Sequence, residues 1–395
     1  MLNSPLNRKL RMALIGGGGA GFIGKVHRTA AQLDGRAELV AGAFSSSLDR
    51  SRETALAFGV DPARAYASWE EMLVTEAALP ENERVDFVSI ATPNYLHFPM
   101  AQAALVAGFN VICDKPMTTS IADAETLVRL VEETNAVFAL THNYTGYPMV
   151  RQAKEMIAAG ELGEIRAVRV NYVQGWMWAV DPDKPASRGV WKDDPLKNGP
   201  GATIGDVGTH AYNLARYMSG LTPVEVLGKL MTYSGRQLDD YGHSLVRCSN
   251  DALIMVTVSQ VTHGRLNDLS IEVDGEQASL SWRQEEPNSL TLRQTGQPQR
   301  IYDRAPGQAH MNDSGNAACR IPGGHPEAFF EAFANVYSSA YDDMIWRISG
   351  GGTREIQSTV YPNVYDGLEG VRFVEQTVAS SKAGSSWLPL SSSAG

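Results

Sequence analysis

Hydrophobic positions in the first third of the chain fall into short unbroken runs, with amphipathic stretches between them. Arg11–Ile15 is an apolar run that ends in glycines. Glu38–Phe44, Val85–Ala91, Asn110–Cys113 and Val137–Thr141 are four more. The intervening segments Ile23–Asp34, Ser51–Phe58, Ser68–Glu76, Phe98–Gly108 and Ala122–Thr134 read as helices. Continuous apolar strands alternating with helices predict a parallel sheet covered on both faces, the doubly wound α/β (Rossmann) pattern.

After residue 150 the pattern changes. One helix follows, Met149–Ala159, and then strands dominate. Glu164–Val173 alternates with period two, as a half-buried strand should. Val224–Tyr233, Ser244–Arg247, Ala252–Val261, Asp268–Val273, Ala278–Arg283 and Ser289–Gln294 also read as strands, with Asp274–Gly275 as a tight turn. Helices are predicted over Gly208–Ser219 and over Pro326–Ala340, the latter with Pro326 in its first turn. The pattern thus predicts two domains, 1–145 doubly wound and 146–395 α+β with a large, mainly antiparallel open sheet. Trp176–Gly201 reads as a long irregular loop, and residues 383–395 as a loosely held tail.

Composition narrows the function. Of 395 residues, 43% are hydrophobic and 20% charged, an ordinary globular balance. The formal net charge of −10 argues against nucleic acid or an anionic membrane as the main partner. Three widely spaced cysteines, Cys113, Cys248 and Cys319, form no zinc motif and suit a reducing compartment. No apolar run reaches the ~20 residues that span a bilayer. The first ten residues are too polar for a signal peptide, so the expectation is a cytoplasmic enzyme.

Leu14–His27 reads LIGGGGAGFIGKVH and sits between the first strand and the first helix, where a dinucleotide phosphate loop belongs. Two registers are open: Gly16, Gly18 and Gly21, or Gly19, Gly21 and Gly24. Phe22 and Ile23 lie in the same loop. At the end of the second strand, Ser45 or Ser46 stands where an acid would bind a ribose 2′-hydroxyl, and Arg50 could meet a 2′-phosphate. The reading favours NAD and keeps NADP open; the alternative is that the serines cap a turn and Arg50 is solvated. Thr92, Pro93, Asn94 and His97 follow the third strand and can line the cofactor, unless Pro93–Asn94 is only a turn.

Lys115, in Asp114–Lys115–Pro116, follows the fourth strand and can orient a substrate hydroxyl or stabilise its alkoxide. In GDVGTH, Asp206 and His210 share a helical face. Oxidising an alcohol needs a base for its proton, and histidine suits with an ordinary pKa of about 6.5. A capping Asp with a buried, satisfied His is the equal alternative. No third ligand at short spacing supports a metal, so none is expected.

These segments, with HNYTGYP and GELGEIRAV, resemble in order and spacing the glucose–fructose oxidoreductase / inositol dehydrogenase / rhizopine-catabolism (Gfo/Idh/MocA) oxidoreductases. The resemblance implies hydride exchange between NAD(P) and a secondary hydroxyl of a sugar, polyol or glycoside. It implies that Lys115 matches the lysine of the family's EKP motif, that His210 is the acid/base, and that Lys115 and Asp206 position the hydroxyl. A substrate cleft is then expected from Tyr144, Tyr147, the loop from Trp176 to Trp191, and His325. An open sheet of this kind implies a homodimer or homotetramer. The chain departs from the family in its longer glycine loop, in DKP for EKP and in the missing second-strand acid. Two other functions use the same residues or fold: glycoside cleavage through transient oxidation, elimination and re-reduction, and a non-catalytic dinucleotide sensor.

Overall fold

The computed structural model describes residues 6–19, 22–179, 190–352, 355–356 and 359–390. The chain divides into two units. The first comprises 1–118, 122–143 and 333–368; the second comprises 119–121, 144–332 and 369–395. Residues 333–368, which the sequence reading placed in its second domain, thus cluster with the first unit.

In the first unit the apolar runs become β1 (Leu10–Gly16), β2 (Ala37–Ala43), β3 (Phe87–Ala91), β4 (Asn110–Cys113) and β5 (Phe138–Leu140). All pair in parallel, in the order β2-β1-β3-β4-β5. Every residue of β3, β4 and β5 is buried, as a sheet covered on both faces requires. Because β2 and β3 flank β1 on opposite sides, the winding reverses there, and a crevice opens at the carboxyl ends of β1 and β3. The late helix Phe329–Ile348 supplies Tyr337 and Tyr341 to this unit; Tyr341 donates to Ala31 O at 2.9 Å.

Among the described residues the second unit is built on nine strands: β6 (Ile165–Val173), β7 (Pro223–Met231), β8 (Tyr241–Cys248), β9 (Leu253–Ser259), β10 (Asp268–Gly275), β11 (Ala278–Arg283), β12 (Ser289–Gln294), β13 (Arg300–Asp303) and β14 (Leu388–Pro389). Their order is β13-β12-β11-β10-β6-β9-β8-β7-β14. Only the central pair, β6 and β9, is parallel. Alternate residues such as Val168, Val170 and Tyr172 enter the core with Met149, Tyr212 and Phe373 from the covering helices. The opposite face is polar, with Arg169 bridging Glu272 at 2.8 Å and Asp274 at 2.5 Å.

Four local expectations are corrected. Pro326 lies outside the helix, which starts at Phe329 and runs to Ile348. Asp274 and Gly275 still pair within β10, so the turn falls at residues 276–277. The tail is anchored in part: Leu388 and Pro389 pair with β7, and Leu390 is buried. The loop from Trp176 contains short helical turns at Trp176–Ala179, Val190–Asp193 and Pro195–Asn198, while its residues 180–189 lie outside the described residues. Among the described residues no helix is long and apolar enough to cross a membrane.

Candidate functional site

In the first unit Gly16 ends β1 with φ of 79° and pairs with Ala91 of β3. The Gly18 N–H donates to Phe44 O at 3.2 Å, beyond the end of β2. A Cβ on Gly24 would lie 2.1 Å from Gly17 Cα, so the first turn of helix Phe22–Gln32 rests directly on the loop. Bare backbone at the start of an 11-residue helix is an arrangement that accepts a pyrophosphate. At Gly16, Gly18 and Gly24 an added Cβ would lie within 2.5 Å of backbone atoms, so these positions leave no room for side chains and the cradle fits a dinucleotide. Gly19 is exposed, Phe22 is 55% exposed and Ile23 is half-buried, while Gly21 lies outside the described residues. Ser45 and Ser46 follow β2, and Arg50 is exposed on helix Leu48–Phe58. Thr92 and Pro93 are half-buried beyond β3, and Asn94 is buried.

Next along the sheet, Asp114 and Lys115 follow β4. Asp114 Oδ1 accepts from the Lys115 N–H and from Thr141 Oγ1, both at 2.9 Å, and lies 3.9 Å from His27 Nε2. Burial pushes the Asp114 carboxyl up, but His27, Lys115 and His97 outweigh it and hold it well below the usual carboxylate range. His27 Nδ1 in turn sits 2.6 Å from Tyr337 OH and 3.1 Å from Ser89 Oγ. His97 is completely buried, with both ring nitrogens against backbone carbonyls.

In the second unit Asp206 lies on a π-helical turn, Ile204–Gly208, that runs into helix Thr209–Ser219 carrying His210. Such turns recur at functional positions because they re-aim side chains along a helix. Asp206 Oδ2 accepts from Lys192 Nζ at 2.5 Å and Gln260 Nε2 at 2.9 Å. Gln260 also donates to Gln174 Oε1 (3.1 Å), which accepts from Trp176 Nε1 (2.8 Å). Gln174 donates to Asn267 Oδ1 at 2.6 Å, and Asn267 donates to Tyr144 OH at 3.2 Å. Tyr144 and Tyr172 share a hydrogen bond of 2.5 Å. His210 stands edge-on to Tyr144, with ring centroids 4.9 Å apart. Burial pushes the phenols of Tyr144 and Tyr172 up, so both keep their protons near neutral pH. Tyr147 is buried behind them, stacked on Tyr144 and packed on Trp282.

The sequence reading did not single out Lys192, Gln174, Gln260 or Asn267. Gln174 follows β6, Gln260 follows β9 and Asn267 precedes β10. With β9 parallel and β10 antiparallel to β6, all three come to one end of the sheet. The sequence signal was a polar residue directly beyond an apolar strand, but the pairing that gathers them was not visible. Trp191 lies on the short turn Val190–Asp193. His325 is exposed, on a loop whose carbonyls at Ile321 and Pro322 accept from the buried Arg304. Among the described residues no three His, Cys, Asp or Glu side chains gather to hold a metal ion.

The turn carrying Asp206 is capped by Asp239, whose two carboxylate oxygens accept from the N–H groups of Ala202 and Ile204, each at 2.7 Å. Burial dominates and pushes this carboxyl up to about 6, against the two N–H donors. The folded state therefore holds a proton that the unfolded chain releases from about pH 4 upward. Stability from this group is greatest below pH 4 and falls as pH rises toward 6, a span of about 3 kcal/mol. Asp239→Asn should remove that slope: its melting temperature relative to the parent should rise between pH 4.5 and 7. A pH-independent difference would contradict the assignment.

Residues 10–142 match the family model described as the oxidoreductase family with an NAD-binding Rossmann fold. Residues 150–281 match the GFO/IDH/MocA C-terminal domain. The oxidoreductase YfiI of Bacillus subtilis (strain 168) is 32% identical over 98% of this chain and 99% of its own. An inositol dehydrogenase homolog from Azotobacter vinelandii, solved with NADH and myo-inositol, superposes with a TM-score of 0.88. It is 34% identical over 97% of this chain and 98% of its own. Levoglucosan dehydrogenase of Pseudarthrobacter phenanthrenivorans is 26% identical over 97% of this chain and 98% of its own.

Proposed function

Since the chain belongs to the Gfo/Idh/MocA family of NAD-binding oxidoreductases, we propose that it is a dehydrogenase acting on one secondary hydroxyl of a sugar, polyol or glycoside. The observation that carries this reading is the polar network of the second unit. Asp206 and His210 stand one helical turn apart beside four neutral hydrogen-bonding side chains, Gln174, Gln260, Asn267 and Tyr144. Neutral amides and phenols with an aromatic wall suit a ring bearing several hydroxyls. The myo-inositol bound to the Azotobacter vinelandii homolog is a molecule of this class.

In this reading Gly16, Gly18 and Gly19 offer backbone to the dinucleotide phosphates, and Ser45, Ser46 and Arg50 meet its adenosine ribose. Thr92, Pro93 and Asn94 support the nicotinamide half. The bound nicotinamide supplies a hydride acceptor. A ring nitrogen of His210 takes the hydroxyl proton as the carbon–hydrogen bond breaks, so the alcohol loses a hydride and a proton and becomes a ketone. The Lys115 ammonium stabilises negative charge on the oxygen. Asp206, held by Lys192 and Gln260, bonds the hydroxyl or orients the imidazole.

The test is a screen with NAD and NADP against sugars, cyclitols and glycosides, followed by absorbance of the reduced nicotinamide. Substrate-dependent reduction of NAD is expected. Release of aglycone with no net reduced cofactor would replace this reading with glycoside cleavage. Tight dinucleotide binding with neither outcome would favour a sensor.

A further inference from the structure

We propose that His97 is a positioning residue for Lys115, tying the segment after β3 to the segment after β4. Its imidazole has no exposed surface. Nδ1 lies 2.7 Å from Pro116 O, and Nε2 lies 2.9 Å from Thr92 O. The carbonyl directly after Lys115 is thereby fixed to the loop beyond β3. On its other side the Lys115 N–H is held by Asp114 Oδ1 at 2.9 Å, and Asp114 is itself held by Thr141. The backbone on both sides of the lysine is therefore pinned by buried or half-buried side chains.

A lysine has a long flexible stem, so the place of its ammonium depends on how firmly its own backbone is held. A neutral imidazole donates from one nitrogen only, and the imidazolium donates from both. Burial pushes the His97 pKa down, while the Asp114 carboxylate pulls the other way. The imidazolium bonds both carbonyls, and the neutral tautomer that carries its proton on Nδ1 keeps the bond to Pro116 O. The two loops it joins are the ones the proposed function uses for the nicotinamide and for the reacting oxygen, so the inference rests on the role given there to Lys115.

His97→Leu and His97→Gln, compared with Lys115→Ala, test it. Gln keeps an amide that can donate to a carbonyl; Leu has no donor. His97→Leu should lower kcat at least tenfold, and His97→Gln should recover most of that. The affinity for NADH, read by fluorescence titration, should stay within about twofold in both. Equal kcat in parent, Leu and Gln variants would overturn the proposal. So would a loss of NADH affinity that accounts for the whole defect, because it would indicate general loosening. If His97→Leu does not fold, His97→Met, which also has no donor, takes its place beside His97→Gln: a fall in kcat at full NADH affinity that Gln recovers supports the clamp, and equal kcat in both refutes it. Unaltered turnover in Lys115→Ala would instead sink the lysine's role, a failure distinct from that of the clamp.

Discussion

His210→Ala is expected to lower kcat by about 10²–10⁴-fold, the usual contribution of a positioned general acid–base, while NADH affinity stays unchanged. His210 is 8% exposed and sits in the first turn of its helix, so the neighbouring protein fixes its orientation. The two phenols nearest it are pushed up by burial and cannot take the proton near neutral pH. The carboxylate one turn earlier is engaged by Lys192 and Gln260. Among these groups histidine is the one whose ordinary titration range fits a reversible proton transfer. The measurement is steady-state turnover with the substrate found by the screen, together with an NADH titration and a melting curve. A variant that folds, binds NADH and turns over at the parental rate would remove His210 from the mechanism.

Gly24→Ala should have the second large effect, on cofactor binding rather than chemistry. The added methyl would stand 2.1 Å from Gly17 Cα and 2.5 Å from Gly17 O. Both are backbone atoms, so no side-chain rotation relieves the clash. Overpacking of this kind costs about 1–3 kcal/mol, and here the strain falls on the loop that cradles the phosphates. If most of it is relieved by moving the loop, the Kd for NADH rises about 10–100-fold. Fluorescence titration measures this directly. Parental affinity and melting temperature together would show that the helix and the loop can part without cost.

Much of the fold was legible in the sequence, because burial on both faces leaves unbroken apolar runs in the first unit and burial on one face leaves alternation in the second. Asn110–Cys113, Ala278–Arg283 and Ser289–Gln294 have the same limits in sequence reading and structure. What escaped depended on partners distant in sequence. Helix Val364–Lys382 was not foreseen. It contains Gly367 and Gly370, and glycine inside a helical pattern weakens its signal. Yet a Cβ on Gly367 would lie 2.4 Å from Met117 Sδ, so this glycine reflects close packing rather than a turn. β14 was missed because only two residues pair, and nothing local marks them. Among the candidate residues, Lys115, Asp206 and His210 stood out by chemistry and by position near strand or helix ends. Gln174, Gln260 and Asn267 did not, since their meeting depends on strand order, and Lys192 did not, since it reaches Asp206 from a short turn of a loop. His97 looked like a residue lining the cofactor, and only the folded chain places both its nitrogens on carbonyls.

The linked amides and phenols of the second unit also constrain how this protein can evolve. Gln174 bonds Gln260, Trp176 and Asn267 at once. Replacing it alone breaks all three bonds at once, at about 0.5–1.5 kcal/mol each, although Gln260 keeps its bond to Asp206 and Asn267 Oδ1 still accepts from Tyr172. A single substitution there therefore loosens several neighbouring side chains together. Variants with a new substrate preference should arise by paired changes, or by changes in the loop from Trp176 to Gly201. Relatives that share the network intact should differ in specificity mainly along that loop.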